Sequence, residues 1–416
     1  MVTNIQVKCE VCEAVINLKW QIGHVEEAPV SIVCPDCLTV LKFTLYTNNE
    51  EVTINFKSKN ASQINHITPK YYAETSSELL TFKISNQHII RPGWTPFIRS
   101  TQMIGHEKYV NFQKSFMSAI YIHKKNNHIF ERINELYLNK NKKYLSSELH
   151  KQLNLEHKGE FTDEEIIRNL YSYNIGYFSN FFHNSSFGIL NKKILEKMEL
   201  LKTTQAEAFN DFLINYCNNE MLLEYDRKLY RAISNVLSNY YYFIPATFLK
   251  YITEDRIDDI YKEYTLTTTN FTDVKDIYIT IYENLIDVYE IVMMLNNVLI
   301  RGNHMNMPSG VIINNKEVNT LIKYRKQSKA NKLRFAEINE GFNIFMPKFE
   351  RKIRNAIGHE DWRYIPYEHM IKYGNDEIYI LEYVYKCWQM FENTIAIYKI
   401  LQDIKINREV SINNIS

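Results

Sequence analysis

The sequence predicts a mainly α-helical protein that begins with a small β zinc ribbon and continues into helical domains, the last of them a helical bundle. Three observations predict this class. Two Cys-x2-Cys pairs lie near the start, hydrophobic residues recur at helical spacing from about residue 106 onwards, and the 416 residues include only 11 glycines and 9 prolines. A chain of this length can form two or three domains.

Charge and hydropathy argue against a strongly basic nucleic-acid-binding protein and against a membrane protein. Lysine and arginine number 49 against 48 acidic residues, so the net charge of +1 provides no global attraction to nucleic acid, and any RNA contact must be local. The most apolar run, Ile277 to Leu295, contains Glu283, Asp287 and Glu290, and Met1 to Asn4 show no signal-peptide pattern. We therefore expect a cytoplasmic protein that makes no membrane contact.

The cysteine spacing is the strongest chemical signal. Cys9 and Cys12 form one pair and Cys34 and Cys37 form the other, with 21 residues between the pairs. Paired knuckles of this kind place four thiolates around zinc, whereas a disulfide framework is uncommon in a cytosolic chain. Four cysteine ligands leave no position open for water, so we expect a structural Zn²⁺ and no catalytic metal.

A β-hairpin is predicted to complete the ribbon, which spans residues 1–60. Leu41, Phe43 and Leu45 alternate with polar residues before a polar turn at Asn48–Glu51, and the alternation resumes at Val52, Ile54 and Phe56. The partner of the ribbon stays open between nucleic acid, another protein and its own domain. Residues 61–105 are predicted to be a connector because Pro69, Pro92, Gly93 and Pro96 interrupt short apolar segments.

Residues 106–265 are predicted to form a helical middle domain. Ser146–Leu149 and Thr162–Glu165 are expected helix starts, and Leu229–Ser238 continues the helical pattern. This segment contains no chemical motif, so its role stays open between sensing, substrate selection and dimer contacts.

Two features of the chain favour a structural interpretation over a chemical one. Tyr240–Phe243 could stack on bases, but four adjacent aromatic residues on a helix point in all directions and are expected mostly in the core. Cys217 and Cys387 lie in apolar helical surroundings and are expected to be core thiols.

Residues 266–416 are predicted to form the last helical bundle. Thr272 or Asp273 is expected to cap a long amphipathic helix that ends at Arg301. Its hydrophobic positions are Val274, Ile277, Ile281, Leu285, Val288, Val292, Leu295 and Leu299. The segment from Arg301 to Asn315 is predicted to be a loop with a solvated His304.

A second helix of this bundle is predicted over Val318–Phe335. It carries the densest basic run of the chain, which is either a solvated face or a footprint for a phosphate backbone. The basic residues are Lys323, Arg325, Lys326, Lys329, Lys332 and Arg334.

The last helix is predicted from Ile380 to Leu401, after an extended turn near Gly374–Asn375, and the tail from Asn407 is expected to be frayed.

The segment Arg354-Asn355-Ala356-Ile357-Gly358-His359 combines a cation, an amide and an imidazole. Helical spacing over Pro347–Ile357 places Asn355 and His359 one turn apart, with Arg354 on the adjoining edge. Arginine offers a planar set of donors to phosphate, and histidine transfers protons near neutral pH. These groups suit cleavage of RNA, whose 2′-OH can act as the nucleophile without a metal ion.

This segment resembles the Arg-polar-x3-His signature of the HEPN superfamily, over roughly the last third of the chain. The resemblance implies a HEPN-like helical bundle that forms a homodimer, brings two motifs into one cleft and cleaves RNA without a metal ion. It also implies a role in bacterial toxin or antiphage systems, and a protein activator or inhibitor is a further expected partner. By position, Arg354, Asn355 and His359 would be the catalytic residues.

The resemblance implies a catalytic role for each residue of the motif. His359 would act as general base or acid, Arg354 would stabilise charge on the phosphate, and Asn355 would orient the imidazole or the phosphate. Arg363 could add a phosphate contact, and Trp362 and Tyr364 could either stack on bases or close the bundle. The alternative function is a non-catalytic dimeric interaction or nucleic-acid-binding protein that uses its zinc ribbon to dock a partner.

Overall fold

A computed structural model of the chain describes residues 1–47, 56–86, 94–156, 159–182, 184–339, 341–342, 351–365 and 367–413. Helix accounts for 59% and strand for 17% of the residues. These proportions confirm the mainly α class with a small β region at the N-terminus. None of the helices in the described ranges is both long enough and apolar enough to cross a lipid bilayer.

The N-terminal β region consists of two sheets that share one hydrophobic core. The strands of these sheets are β1 (Val2–Cys9), β2 (Val15–Gln21), β3 (Glu27–Val33), β4 (Val40–Tyr46), β5 (Phe56–Lys59), β6 (Ala61–Ile64) and β7 (Tyr71–Ser76), and the short strand β8 (Thr81–Phe82) belongs to neither sheet. One sheet has the order β6-β1-β2-β7 and the other the order β3-β4-β5. Trp20 of the first sheet and Leu41 of the second are both buried in the shared core.

The predicted hairpin is present where the structure describes it. Leu41, Phe43 and Leu45 are buried at alternate positions of β4, as the period of two requires. Leu45 pairs with Phe56 of β5 in antiparallel register, and the rings of Phe43 and Phe56 stack with centroids 4.8 Å apart. The predicted turn and its two neighbours, Val52 and Ile54, lie outside the described residues.

The segment predicted to be a connector, residues 61–105, contains three strands and a helix. β6 pairs with β1, and β7 runs parallel to β2 with Ile16 opposite Tyr71. Tyr71 and Ala73 alternate into the core along β7. Pro69 and Pro96 do not interrupt these elements, because Pro69 precedes β7 and Pro96 is the first residue of a helix, where its missing N–H costs nothing. Pro92 and Gly93 lie outside the described residues.

Helices form most of the remaining chain. They are α1 (Pro96–Ile104), α2 (His106–Leu138), α3 (Lys142–Gln152), α4 (Asp163–Ser179), α5 (Asn184–Thr204), α6 (Ala206–Asp211), α7 (Asn219–Leu237), α8 (Ile244–Thr247), α9 (Glu254–Glu263), α10 (Phe271–Arg301), α11 (Leu321–Arg325), α12 (Lys329–Glu337), α13 (Arg351–Gly358) and α14 (Ile380–Asn413). Short strands lie between them: β9 (Tyr264–Thr265), β10 (Ile312–Ile313), β11 (Lys316–Glu317), β12 (Arg363–Ile365), β13 (Met370–Tyr373) and β14 (Asp376–Tyr379).

The helix starts predicted in the middle of the chain have different outcomes. Thr162 caps α4 in a capping box, since its hydroxyl accepts the Glu165 N–H at 3.2 Å while the Glu165 carboxylate accepts the Thr162 N–H at 2.7 Å. The start predicted at Ser146 is wrong, because α3 already begins at Lys142. Ser146 instead donates its hydroxyl to the Lys142 carbonyl of the preceding turn at 2.9 Å.

Two other predicted boundaries are also corrected. The cap of α10 is Asn270, whose side-chain oxygen accepts the Asp273 N–H at 3.2 Å, and not Thr272 or Asp273. The basic segment Val318–Phe335 forms two helices instead of one, because Ser328 caps α12 and separates it from α11.

The C-terminal part of α14 is helical through Asn413, so the expected frayed tail from Asn407 is wrong. Ile404 and Lys405 are buried there, and Arg408 donates to the side chain of Asn219 at 2.6 Å. These contacts hold the last turns of the helix. Near its N-terminal end, the predicted turn at Gly374–Asn375 joins β13 and β14 into a hairpin.

The chain divides into two compact units, each assembled from three separate segments. The first unit contains Met1–Ile120, Ser238–Tyr278 and Glu350–Trp388, and the second contains Tyr121–Leu237, Ile279–Phe349 and Gln389–Ser416. The domains predicted with boundaries at residues 60, 105 and 265 are, in contrast, contiguous segments of the chain. Distant segments join the first unit through pairings such as β8 with β9 and the 2.8 Å hydrogen bond between the hydroxyls of Thr75 and Thr267.

Candidate metal centre and catalytic motif

The four N-terminal cysteines are brought together in the first unit. The sulfur atoms of Cys9 and Cys37 are 3.6 Å apart, those of Cys12 and Cys34 are 3.4 Å apart, and all four lie within 4.8 Å of one another. A tetrahedral zinc ion with Zn–S bonds of about 2.3 Å requires S–S separations of roughly 3.8 Å. The four thiols therefore fit a metal ion of this kind.

Both Cys-x2-Cys pairs adopt the same backbone conformation. The Cys9 N–H donates to the Ala14 carbonyl at 2.9 Å, and the Glu13 N–H donates back to the Cys9 carbonyl at 2.9 Å. Cys34 makes the same two bonds with the residues five and four positions later. The fourth residue after each first cysteine has a positive φ, 63° at Glu13 and 61° at Leu38. These two tight turns position the four sulfur atoms for a common ligand.

Backbone N–H groups also point at the sulfur atoms. Burial raises the pKa of the Cys34 thiol, whereas hydrogen bonds from the N–H groups of Cys37 and Asp36 favour its thiolate. Burial likewise opposes ionisation of Cys37, but hydrogen bonds with Thr39 and with neighbouring thiols lower its pKa to about 6. Donors of this kind stabilise the thiolate form in which cysteine binds a metal.

The motif predicted for catalysis lies on and just after α13. Ile353, Ala356 and Ile357 are buried and fix one side of this helix to the first unit. Asn355 and His359 are exposed, and Arg354 is half-buried. The amphipathic spacing thus places the three polar groups away from the core, as the sequence predicts. Pro347 and Phe349, which were also predicted to belong to this helix, lie outside the described residues.

The backbone brings Asn355 and His359 to the same side of the helix end. The His359 N–H donates to the Asn355 carbonyl at 3.0 Å, which continues the helical hydrogen-bond pattern one residue beyond Gly358. The Arg354 guanidinium lies 3.5 Å from the Asn355 side-chain oxygen. Within the described part of the chain, no side chain forms a hydrogen bond with the His359 imidazole. One chain therefore supplies the Arg354 cation, the Asn355 amide and a His359 imidazole that no side chain of the described residues orients.

Additional basic residues surround the motif. Lys352 of α13 forms a 2.7 Å ion pair with Asp376 at the start of β14. Arg363 of β12 and Lys372 of β13 are exposed and lie directly opposite each other in the antiparallel register. Lys372 also lies 3.8 Å from Glu377 of β14, so this carboxylate offsets part of the like-charge repulsion between the two cations.

The aromatic residue next to the motif has a packing role. The Trp362 ring packs edge-on against Phe271, with centroids 4.6 Å apart. This contact favours the role of Trp362 in closing the bundle over a role in stacking on bases.

Several other residues with a possible chemical role are packed against neighbouring side chains or buried. His304 was expected to be solvated, but its ring packs 4.5 Å from that of Tyr216, and burial lowers its pKa. Burial raises the pKa of Cys217 to about 12, and Cys387 is fully buried, so both are core thiols. In the segment 240–243 the first and last aromatic residues are buried and the two between them are half-buried.

The basic run of the second unit is partly neutralised. Arg325 donates to the Glu290 carboxylate at 2.6 Å, and Lys329 lies 2.8 Å from Glu283 and 3.2 Å from Asp287. These contacts leave less positive charge for a phosphate backbone than the composition predicts.

The comparisons with protein-family models, with curated proteins and with solved structures gave no match. The metal centre and the motif are therefore interpreted from their own chemistry.

Proposed function

We propose that the chain is a metal-independent endoribonuclease of the HEPN type, which acts as a homodimer in bacterial antiphage defence or toxicity. The observation that carries the proposal is the arrangement at the end of α13. There Asn355 and His359 share one exposed side beside Arg354, while Ile353 and Ile357 anchor the helix. The resemblance of this segment to the Arg-polar-x3-His signature supports the reaction class.

In the proposed reaction the 2′-OH of RNA attacks the adjacent phosphorus, and the bond to the 5′-oxygen breaks. The His359 imidazole takes up the proton of the nucleophile or protonates the leaving oxygen, since an imidazole nitrogen can either accept or donate a proton. The Arg354 guanidinium stabilises the charge that develops on the phosphate oxygens. The products are a 2′,3′-cyclic phosphate and a 5′-hydroxyl end.

A homodimer explains how one imidazole per chain can serve a reaction with two proton transfers. The general base and the general acid must act on opposite sides of the phosphorus. The His359 imidazole has no hydrogen-bonding side chain in the described residues of its own chain. A second copy of the motif would supply both the missing proton-transfer group and an orienting partner.

The proposed metal is Zn²⁺, with Cys9, Cys12, Cys34 and Cys37 as its ligands. All four ligands are thiols and no position remains for substrate, so the ion would stabilise the two knuckles and take no part in RNA cleavage.

Cleavage of total cellular RNA in the presence of EDTA tests the nuclease proposal. The wild type is compared with Arg354→Ala and His359→Ala, and with the matched controls Arg231→Ala and His128→Ala, which replace exposed residues elsewhere. We expect cleavage by the wild type and both controls and none by the two motif variants. End-group analysis should show cyclic phosphates, and zinc content measured after the assay shows whether the ribbon stayed folded.

Cleavage that requires magnesium and leaves 3′-hydroxyl ends would overturn this mechanism. No cleavage by a folded, zinc-loaded wild type would favour the second candidate, a non-catalytic dimeric interaction or nucleic-acid-binding protein. The net charge of +1 supports that candidate. It predicts that His359→Ala keeps the biological activity and that Cys34→Ala abolishes it.

A further inference from the structure

The second unit contains a cavity of about 370 Å³ that the proposed nuclease reaction does not use. Its lining comes from the ends of α2, α3, α4, α7 and α14. The lining residues are Tyr137, Lys140, Lys142, Leu145, Asp163, Ile166, Ile167, Asn219, Leu222, Leu223, Lys405 and Glu409. A volume of this size, with apolar walls and a few polar groups, is typical of small-molecule sites.

The walls of the cavity are apolar. Leu145 of α3, Ile166 of α4 and Leu222 of α7 are buried and line the cavity. Ile167 and Leu223 are half-buried and complete the walls. An apolar ligand body of matching size would bury part of this surface on binding.

One end of the cavity is basic and coincides with the start of α3. Lys140, Lys142 and Lys143 surround Asn141, which makes no side-chain cap, and the first turn of α3 contains no acidic residue. The Lys142 N–H donates to the Lys140 carbonyl at 3.1 Å, and the positive end of the helix dipole favours an anion here. Lys142 forms a 2.8 Å ion pair with Asp163, but the latter is 80% exposed and the pair is weak. In the described ranges Lys140 has no acidic partner.

Another lining residue, Lys405, belongs to a buried and internally neutral cluster. Lys405 and Asp226, 4% and 5% exposed, form an ion pair, and the Tyr137 hydroxyl donates to Asp226 at 2.8 Å while accepting from Lys405 at 2.9 Å. Burial lowers the pKa of Lys405, and the neighbouring carboxylate favours its charged form. These charges balance, and Glu409, which also lines the cavity, lies 3.2 Å from Arg408, so the cations at the start of α3 determine the sign of the ligand.

We propose that this cavity binds a small amphipathic organic anion, whose acidic group lies at the start of α3 between Lys140 and Lys142 and whose apolar body lies between Ile167 and Leu223. The ligand class is a carboxylate, sulfonate or phosphate ester with one apolar or aromatic portion. This site is independent of the proposed nuclease reaction, and binding can be measured without any RNA.

Fluorescence titration with the aromatic sulfonate 8-anilinonaphthalene-1-sulfonate tests the proposal, with decanoate and decanol as competitors. We expect saturable binding of one probe per chain, displaced by decanoate and at least about ten-fold less well by decanol, since the interaction with a nearby cation requires the acidic group. Lys140→Glu should weaken probe binding at least about ten-fold. The matched control Lys151→Glu makes the same charge change on α3 outside the cavity and should bind as the wild type does.

A second variant, Ile167→Trp, fills the cavity and should abolish binding without changing the basic end. Circular dichroism establishes that each variant is folded. If Ile167→Trp does not fold, the exposed position Lys140 alone decides the question. Binding that does not saturate, equal displacement by decanol, or unchanged affinity in Lys140→Glu would each overturn the proposal.

Discussion

Replacement of Lys405 by methionine should destabilise the second unit by about 3–5 kcal/mol, the usual cost of removing one partner from a buried ion pair. Lys405 and Asp226 are 4% and 5% exposed, so water cannot solvate the carboxylate that remains. Asp226 keeps hydrogen bonds from Tyr137 at 2.8 Å and from Gln402 at 3.0 Å. These neutral donors stabilise the carboxylate but do not balance its charge.

The double variant Lys405→Met, Asp226→Asn separates the lost ion pair from the lost packing. It leaves no buried charge, so its cost should be less than half that of the single variant. At about 2–4 °C per kcal/mol for a unit of this size, the single variant should melt roughly 6–20 °C below the wild type. Thermal unfolding followed by circular dichroism gives the melting temperature, and hydrogen exchange along α7 and α14 locates the change. A double variant as unstable as the single one would refute the electrostatic reasoning.

Three further predictions concern the first unit. Cys34→Ala should remove bound zinc and Cys217→Ala should retain it, as elemental analysis of the purified proteins would show. Gly23→Ala should cost about 1–3 kcal/mol in urea unfolding, since a Cβ there would collide with the Glu78 carboxylate, which is buried and bonded to His24 and therefore has little room to move. The hydrogen bond to Glu78 raises the pKa of His24, so the stabilisation is present below the ordinary pKa of about 6.5 and lost as the pH rises through the raised value. The difference in melting temperature between wild type and His24→Gln should therefore shrink as the pH is raised.

Each of these predictions has a control. Gly176→Ala in α4 meets nothing within 4 Å and should stabilise the protein by about 0.5–1 kcal/mol. A destabilised Gly176→Ala would show that the space around a glycine does not decide the effect of an added methyl group. Equal zinc content in Cys34→Ala and wild type would contradict the ligand set, and a His24 effect that grows with pH would contradict the sign of its pKa shift.

Local patterns in the sequence predicted local structure well. The alternation of Leu41, Phe43 and Leu45 predicts a strand because burial on one face depends only on the period of two. The Thr162 capping box and each Cys-x2-Cys pair are likewise complete within a few residues. The same holds for the motif, since helical phase alone places Asn355 and His359 on one exposed side.

Contacts between distant segments could not be predicted in this way. The strands β8 and β9 are two residues long, which is too short for any period, and their pairing joins Phe82 to Tyr264. The buried pair of Lys405 and Asp226 spans 179 positions, and nothing in either neighbourhood identifies the partner. The cavity escaped prediction for the same reason, because its lining comes from the ends of five helices.

The first unit is built from three separate segments, and this affects its folding while the chain is being synthesised. The Ser31 N–H donates to the Thr267 carbonyl at 2.7 Å, and Thr75 is bonded to the side chain of the same residue, 192 positions later. At typical rates of translation these groups leave the ribosome about 10–40 s before their partner. The four cysteines, by contrast, all precede residue 38. A nascent chain could therefore bind the proposed zinc ion early, and this ion would hold the knuckles in place while the rest of the unit is still being made.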